Sequence, residues 1–208
     1  MKIEIFHPKK NNNTLYKQSN SKFYTFLYKV SSINDIKLHL NNLKAQYADA
    51  SHICYAYRLF DGLTILDEVN VSEYSVDAGE PRGSAGPPIL KILKKNNLIN
   101  TIVFVVRYFG GKKLGIPGLI EAYSKSTEIV IHSNELINWS PIINVQLTYP
   151  YSLDGLVKKL INKFNAKVTK QLFQDNILSI IDLNYFKIND FRCQASSYSG
   201  LKIKIVKN

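Results

Sequence analysis

The sequence predicts an α+β protein built from two domains. Three observations support this prediction: 45% of the 208 residues are hydrophobic, strand-like and helix-like patterns alternate along the chain, and the order of elements starts again at Pro141. The apolar fraction is sufficient for buried cores, and the length fits one or two domains. We expect residues 1–134 and residues 135–208 to form separate domains, joined by a short, protease-sensitive linker between Ser133 and Pro141.

The first segments combine strand patterns with one amphipathic helix. A short strand is predicted at Lys2–Phe6, followed by a polar loop that holds at most one more short strand. The aromatic and β-branched run Lys22–Val30 predicts a longer strand. Ser32 is a candidate N-cap for a helix. Apolar residues at alternating steps of three and four predict that helix, and they are Ile33, Ile36, Leu40, Leu43 and Tyr47.

A further strand-like segment, His52–Phe60, is followed by an Asp61-Gly62 pair, a hairpin-turn signal before the run LTILDEV. Because side chains alternate across a strand, one face of this segment is apolar and predicts core packing. The other face carries His52, Cys54, Ala56 and Arg58. His52 and Cys54 resemble a base and a nucleophile. Neighbours on the same face of one strand rarely aim at each other, so core packing is the favoured interpretation.

The middle of the chain alternates loops with helices around one apolar strand. Asp77–Pro88 contains too many turn-forming residues for a helix or strand, and its terminal prolines suit the first turn of a helix over PPILKILKKNN. Thr101–Tyr108 is apolar on both faces, which predicts a central strand covered on both sides. A helix is expected from about Pro117 to His132.

After Pro141 the sequence predicts a second set of elements in the order β-α-β-β-α-β. The strands are IINVQLTY, AKVTKQLF, ILSIIDL and LKIKIV, and the helices are SLDGLVKKLINKF and KINDFRCQASS. This is the order of a ferredoxin-like domain.

The charge of the chain favours polyanionic partners such as RNA or phosphorylated ligands. Lysine plus arginine outnumber aspartate plus glutamate by 27 to 16, a net charge of +11. The excess is spread over both predicted domains, with 17 basic and 11 acidic residues in 1–134 and 10 basic and 5 acidic residues in 135–208. Background composition alone is the alternative explanation.

The cysteines and the apolar runs bear on compartment and cofactors. Cys54 and Cys193 are far apart and have no spacing typical of a zinc site, which favours a reducing compartment. The longest aliphatic-aromatic run, Ile102–Val106, is too short to span a bilayer. We therefore expect a cytoplasmic protein without a membrane partner, and no metal or cofactor is indicated.

The stretch RYFGGKKLGIPGLIEAY, Arg107–Tyr123, is a candidate anion-binding junction between a strand and a helix. Glycine allows backbone N–H groups to approach an anion closely, and a helix N-terminus favours negative charge. With Arg58 and the neighbouring aromatic residues, the junction predicts a basic surface suited to single-stranded RNA. A structural turn solvated by its lysines is the alternative. The candidate nucleic-acid or anion-binding residues are Arg58, Arg82, Arg107, Tyr108, Gly110, Gly111, Lys112 and Lys113.

The loop DAGEPRGSAGPP contains two carboxylates three residues apart, Asp77 and Glu80. Paired carboxylates can act as acid and base or hold a magnesium ion. The favoured interpretation is structural: they cap turn N–H groups or pair with an arginine. Since Arg107 ends an apolar strand, it needs a partner or access to water, and Asp77 or Glu80 is the expected partner. The motif-loop residues are Asp77, Gly79, Glu80, Pro81, Ser84 and Gly86.

These motifs resemble a known family. HICYAYR, DAGEPRGSAGPP and VVRYFGGKKLGIPGLIEAYSKS, in this order and spacing, resemble the core of the IMPACT/YigZ family, and SKF at Ser21–Phe23 resembles its upstream signature. The resemblance covers about Ser21–Ser126, and the tail resembles the second domain of bacterial YigZ-type members. The chain departs from the family pattern at several positions, which are Ala78, Arg82, Ser84, Pro87, Ile116 and Pro117.

The resemblance implies a fold for each domain and a role near translation. The N-terminal βαβ domain is expected to be similar to the second domain of a small-subunit ribosomal protein, and the ferredoxin-like C-terminal domain to one in elongation factor G. Eukaryotic relatives restrain the kinase that senses uncharged tRNA by competing for its ribosome-associated activator, which implies a stress response. For bacterial members, the resemblance implies a role near translation or nucleic acid.

We therefore expect a translation-associated regulatory protein that binds RNA or a ribosome-associated partner, with little sequence preference and no DNA sequence specificity. One alternative is a phosphate- or nucleotide-binding enzyme that uses the glycine-rich loop, although the GxxxxGK[ST] signature is missing. A second alternative is a protein-interaction module that does not touch nucleic acid.

Overall fold

The structure, a computed structural model, describes residues 4–206 and divides into two compact units, residues 1–139 and 140–208. The strand predicted at Lys2–Phe6 lies partly outside the described residues. Within the described part of the chain, no helix is both long enough and apolar enough to cross a membrane. Each unit is described separately below.

In its described residues, 4–139, the first unit contains seven strands, three helices and one main sheet. That sheet is antiparallel throughout and has the order β2-β3-β6-β4-β5, whereas β1 pairs with β7 in a separate two-stranded ribbon. The strands are β1 (Phe6–Pro8), β2 (Asn12–Gln18), β3 (Ser21–Lys29), β4 (His52–Leu63), β5 (Val69–Val76), β6 (Thr101–Tyr108) and β7 (Leu136–Asn138). The helices are α1 (Ile33–Gln46), α2 (Gly86–Lys95) and α3 (Gly115–His132).

Helices cover both faces of this sheet. Through Ile36 and Leu43, α1 packs on one face against the side chains of Phe104 and Val106, while α2 and α3 pack on the other face against Val103 and its neighbours. The central strand β6 is consequently buried along Thr101–Arg107, as its apolar sequence predicted. The N-cap prediction is also confirmed, because the Ser32 and Asp35 side chains form a capping box at the start of α1.

Three local predictions in this unit differ from the structure. The Asp61-Gly62 pair lies inside β4 at an irregularity in its pairing with β5, and the chain reverses at Thr64–Glu68, where the Thr64 N–H donates to the Glu68 carbonyl. The strand expected over LTILDEV is thus largely turn. The polar loop before β3 contains the full-length edge strand β2, and α3 begins at Gly115, before Pro117.

The boundary between the units follows Trp139, which lies inside the predicted linker between Ser133 and Pro141 but beyond the predicted division after residue 134. Residues 135–139 were assigned to the second domain, but Leu136–Asn138 pair with Phe6–Pro8, and the Trp139 N–H donates to the Ile5 carbonyl at 2.7 Å. Two three-residue strands separated by most of a domain leave no local sequence pattern, so the pairing was not visible in the sequence. It stays a prediction that the two units fold independently and that a protease cuts first in the linker between them.

The second unit has the predicted β-α-β-β-α-β order of a ferredoxin-like domain. Its antiparallel sheet has the order β11-β8-β10-β9, so the first and third strands of the unit are central. The elements are β8 (Ile142–Tyr149), α4 (Asp154–Lys163), β9 (Lys167–Phe173), β10 (Ile177–Asn184), α5 (Ile188–Ala195) and β11 (Lys202–Val206). Short 3₁₀ turns, Tyr151–Leu153 and Tyr185–Lys187, precede the two helices.

Only one face of this second sheet is covered by helices. Val145 and Leu147 of β8 and Ile181 of β10 point to the same side and pack with Leu160 of α4 and Phe191 of α5 in a buried core. The alternate residues of β8 and β10 are part-exposed or exposed. They form the open face of the second sheet.

Candidate functional site

The loop between β5 and α2 is organised by one carboxylate. Asp77 accepts three backbone hydrogen bonds, from the N–H groups of Gly83 at 2.7 Å, Ala85 at 3.0 Å and Gly86 at 2.8 Å. Ala85 is the N-cap of α2 and provides no side-chain cap, so Asp77 satisfies N–H groups that begin the helix. The structural interpretation of Asp77 as a turn cap is confirmed.

Glu80 forms a buried ion pair with Arg107. Arg107 Nη1 donates to Glu80 Oε1 at 2.6 Å, and the two side chains are only 6% and 3% exposed. The arginine also donates from Nη2 to Ser21 Oγ at 3.4 Å, while its buried Nε has no hydrogen-bond partner among the described residues. Of the two carboxylates expected as partners of Arg107, the structure therefore selects Glu80.

Tyr123 and Cys54 extend this cluster into the core between β4 and α3. The Tyr123 hydroxyl donates to Glu80 Oε1 at 2.8 Å, and Cys54 Sγ lies 3.3 Å from that hydroxyl and 2.9 Å from the Asp77 carbonyl. Burial raises the pKa of Cys54 to about 12, and the charges of Glu80 and Asp77 add to the effect. Burial raises the pKa of Tyr123 as well. Both groups stay protonated at neutral pH, so Cys54 is a packed thiol and not an activated nucleophile.

His52 closes the cluster at the surface. Its Nδ1 lies 2.9 Å from the Ala78 carbonyl, and its Nε2 lies 3.9 Å from Glu80 Oε2. A carbonyl only accepts hydrogen bonds, so Nδ1 carries the proton. His52 thus binds the loop backbone and does not face Cys54 as a general base, and the core-packing interpretation of this pair is favoured.

The two adjacent glycines after β6 are required by the path of the chain. A Cβ atom on Gly110 would lie 2.1 Å from the Asn20 carbonyl carbon, and the Gly110 N–H donates to Ser21 Oγ at 3.1 Å. Gly111 has a φ of 84°, a conformation that side chains other than glycine rarely adopt. Together they turn the chain sharply out of the sheet, the structural role that was the alternative to anion binding for this stretch.

We call the segment that contains these glycines, Phe109–Leu114, the basic turn. Lys112 and Lys113 are exposed there and form no ion pair with any described residue. Phe109 is 49% exposed, and its ring lies 5.7 Å from the guanidinium carbon of Arg107. The helix α3 begins directly after the basic turn, with no side-chain cap and no acidic residue in its first turn.

Two residues predicted for the basic surface lie elsewhere. Arg58 stands opposite Thr101 at the far end of β6, where it pairs with Glu73 at 2.9 Å and donates to the Leu98 carbonyl. Tyr108 points to the face of the sheet that α1 covers, and its hydroxyl donates to Asp49 at 2.7 Å, a bond that raises the Tyr108 pKa to about 12. The sequence showed their residue types but not the strand register, which places Arg58 at the far end of β6 and Tyr108 on the face that α1 covers.

The remaining motif-loop residues shape the backbone. Ser84 is fully buried and donates to the Pro81 carbonyl at 2.6 Å, and Gly86 is the first residue of α2. Gly79 lies against the His52 ring, and Arg82 is exposed at the tip of the loop. These residues build the loop that carries Glu80 to Arg107.

Two members of the cluster were not proposed as site residues from the sequence. Tyr123 lies among the apolar positions of α3 and resembles an ordinary core residue, and Ser21 is a small residue at the start of β3. Both fall inside the segments that carry the family resemblance, and the hydroxyl on an otherwise apolar helix face is the signal that indicates a buried polar partner. Among residues 4–206, no group of three or more His, Cys, Asp or Glu side chains is placed to hold a metal ion.

Comparisons with known proteins match this chain to one family. A family model described as the Impact N-terminal domain matches residues 19–131. IMPACT family member YvyE of Bacillus subtilis is 41% identical over 106 residues, which are 51% of this chain and 46% of that protein. An IMPACT family member of Haemophilus influenzae is 28% identical over 185 residues, covering 89% of this chain and 87% of that protein. IMPACT family member YigZ of Escherichia coli is 26% identical over 186 residues, 89% of each.

A solved structure shares the fold over the whole chain. This crystal structure of a hypothetical protein has a TM-score of 0.63 and 22% sequence identity, and the alignment covers 100% of both chains. At this identity the likeness bears on the fold, and it matches the two-unit α+β architecture described above.

Proposed function

Because this chain belongs to the IMPACT family, we propose that it is a translation-associated regulatory protein that binds RNA or a ribosome-associated partner through the basic turn. Of these two partners, the geometry supports RNA best. The same proposal has two further parts. The two units are similar in fold to a domain of a small-subunit ribosomal protein and to a domain of elongation factor G, and the protein acts in stress responses.

The observation that carries the proposal is unneutralised charge at a fixed position. Some lysines of the first unit have carboxylate partners, such as Lys94 with Glu73 and Lys95 with Glu128. Others, such as Lys37 and Lys91, have none among the described residues, but they lie on separate helices and not side by side on a turn. Lys112 and Lys113 have none among the described residues, and the glycines behind them are required by the fold. A rigid turn that presents two free ammonium groups is suited to phosphate.

Phe109 adds a surface for bases beside these charges. Its ring is half-exposed and lies over the buried guanidinium of Arg107. Exposed aromatic rings next to basic groups bind single-stranded nucleic acid by stacking, largely independently of sequence. The uncapped first turn of α3 contributes N–H groups and a partial positive charge at the same place.

The two alternative functions find less support in the geometry. The carboxylates of Asp77 and Glu80 are engaged by backbone N–H groups and by Arg107, so they do not form a free acid–base pair for an enzyme. A protein-interaction module would use the same exposed turn, but an acidic protein partner does not need the stacking ring.

The proposal is tested with the double variant K112E/K113E. Both residues are exposed, so we expect the free energy of unfolding to change by no more than about 0.5 kcal/mol. RNA binding, measured by anisotropy of a labelled single strand, should be lost at moderate salt, and so should sedimentation with ribosomal fractions. For the wild type, affinity should fall with salt with a log-log slope of about −0.7 per phosphate contacted.

The matched control is K37E/K91E, which reverses two exposed lysines on α1 and α2 that form no ion pair with residues 4–206. It makes the same change in net charge and should retain binding. If K112E/K113E binds RNA as well as this control, the lysines only solvate a structural turn. Loss of ribosome association with intact RNA binding would instead favour a protein partner, and nucleotide turnover by the wild type would favour an enzyme.

A further inference from the structure

We infer that the open face of the second sheet is a second, independent binding surface for single-stranded RNA. The pairing register places the lysines of both edge strands on that face. Lys167 and Lys170 of β9 stand opposite Asp182 and Ile180 of β10, whose side chains point away from the helices. On the other edge, Lys202 and Lys204 of β11 stand opposite Thr148 and Gln146 of β8.

The four lysines therefore form two rows that flank the two central strands. Three strand spacings separate β9 from β11 in the order β11-β8-β10-β9, so the rows are about 14 Å apart. All four side chains are exposed, and none forms an ion pair with another described residue. The carboxylate of the face, Asp182, accepts a hydrogen bond from Asn144 at 2.6 Å.

The strip between the rows offers hydrogen bonds and apolar contact. The open-face positions of β8 include Asn144, Gln146 and Thr148, while β10 contributes Leu178 and Ile180. Amide side chains can pair with the edges of unpaired bases, and aliphatic side chains can pack against base faces. The strand positions of this face carry no aromatic residue, so phosphate contacts would supply most of the affinity and binding should be weak and strongly salt-dependent.

Protection of the sheet edges is the simpler reason for lysines on β9 and β11, because charged side chains discourage edge-to-edge pairing. That role places no demand on which face the lysines occupy. Here the helix-facing positions of the same edge strands hold Val168, Gln171 and Phe173 on β9 and Ile203 and Ile205 on β11. All of the positive charge of both strands therefore lies on the uncovered side.

Single-stranded RNA fits this surface better than a duplex or an acidic protein. A duplex hides the base edges that Asn144 and Gln146 would contact, and its phosphates alone would leave the central strip unused. An acidic protein would pair with the lysines but has no need for amide groups between them.

The test compares matched double neutralisations in the full chain, each of which lowers the net charge by two. K167Q/K170Q and K202Q/K204Q change the two rows, and K159Q/K163Q changes exposed lysines of α4 on the helical side. Binding of a fluorescein-labelled single-stranded RNA of about twelve nucleotides is measured by anisotropy across a salt series. Each row variant should bind about tenfold more weakly near 100 mM salt and lower the magnitude of the log-log salt slope by up to about 1.4.

The helical-side control should retain the wild-type affinity and slope. Row variants that behave like this control would overturn the inference, as would equal binding of a duplex of the same length. Loss of ribosome association with unchanged RNA isotherms would also overturn it, by assigning the face to a protein partner.

A fourth variant, K112Q/K113Q, separates this inference from the proposed function. If only the basic turn binds RNA, K112Q/K113Q loses binding and the row variants do not. If only the open face of the second sheet binds RNA, the opposite pattern appears. If both surfaces bind RNA, K112Q/K113Q and the row variants should each weaken binding, and a variant that combines them should bind more weakly than either.

Discussion

The motif loop and the basic turn are both rich in glycine and charged residues, but they differ in whether their charged side chains are paired inside the first unit. In the motif loop, Asp77 and Glu80 are fully engaged inside the first unit by backbone N–H groups and by Arg107. In the basic turn, Lys112 and Lys113 have no internal partner among the described residues. The motif loop is therefore built as support, and the basic turn is the part that is free to bind.

Arg107 connects these two regions. Its guanidinium pairs with Glu80 in the core, contacts the serine that receives the Gly110 N–H, and lies beneath the exposed ring of Phe109. A buried charge of this kind is expensive to maintain unless its partners are in place. We infer that the cluster holds the basic turn at a fixed position relative to the sheet, and three predictions test this comparison.

The largest expected effect comes from removing the counter-charge of Arg107. Glu80→Gln keeps the shape of the side chain but leaves a 94%-buried guanidinium without a carboxylate. Breaking a buried pair in this way should lower the free energy of unfolding by about 3–5 kcal/mol. Urea unfolding measures the effect. The control Glu135→Gln, which removes a surface partner of Lys9, should cost no more than about 1 kcal/mol.

A double variant shows whether the cost arises from the unpaired charge. Replacing Arg107 with Met in the Glu80→Gln background removes the uncompensated charge and should recover part of the lost stability. If Glu80→Gln alone costs less than the surface control, the pair is not buried in solution and the distinction between motif loop and basic turn fails.

The second prediction concerns access to the cluster through its thiol. With a pKa of about 12, only about one Cys54 in ten thousand is ionised at pH 8, and the thiolate is the reactive form. Cys193 is exposed. Iodoacetamide should therefore label Cys54 at least about a hundredfold more slowly than Cys193, and peptide mass spectrometry separates the two. Comparable rates in the folded protein would show that the cluster opens readily.

The sequence predicted those elements of the fold that depend on residues close together in the chain. The capping box of α1, the apolar strand β6 and the β-α-β-β-α-β order of the second unit were all visible in the sequence. The pairing of β1 with β7 was not, because it depends on a contact between distant segments. The Asp61-Gly62 pair does not form the predicted hairpin turn but lies at a bulge in β4, because bulges and tight turns use the same residue types.

The sequence predicted which types of side chain form the site, but not which of them lie together. The pairing of Arg107 with a carboxylate of the motif loop followed from the cost of a buried charge, whereas the choice of Glu80 required the structure. Arg58 and Tyr108 were grouped with the basic turn because of their residue types. Strand register separates Arg58 by the length of β6 and turns Tyr108 to the opposite face.

The smallest expected effect lies at Ala78, where the chain departs from the family pattern inside the motif loop. Ala78 has a φ of 47°, a conformation in which Cβ crowds the following carbonyl and which costs about 1–2 kcal/mol relative to glycine. Glycine also loses more conformational freedom on folding, by about 0.5–1 kcal/mol. Ala78→Gly should therefore raise the free energy of unfolding by at most about 1.5 kcal/mol.

The same substitution separates strain from function. Ala78 contributes its carbonyl to His52, and glycine retains that group, so the loop should keep its shape. If the loop is only support, Ala78→Gly should stabilise the protein in urea and leave RNA binding unchanged. A change in RNA affinity at unchanged net charge would mean that the motif loop itself takes part in binding, and the division between a supporting loop and a binding turn would then be wrong.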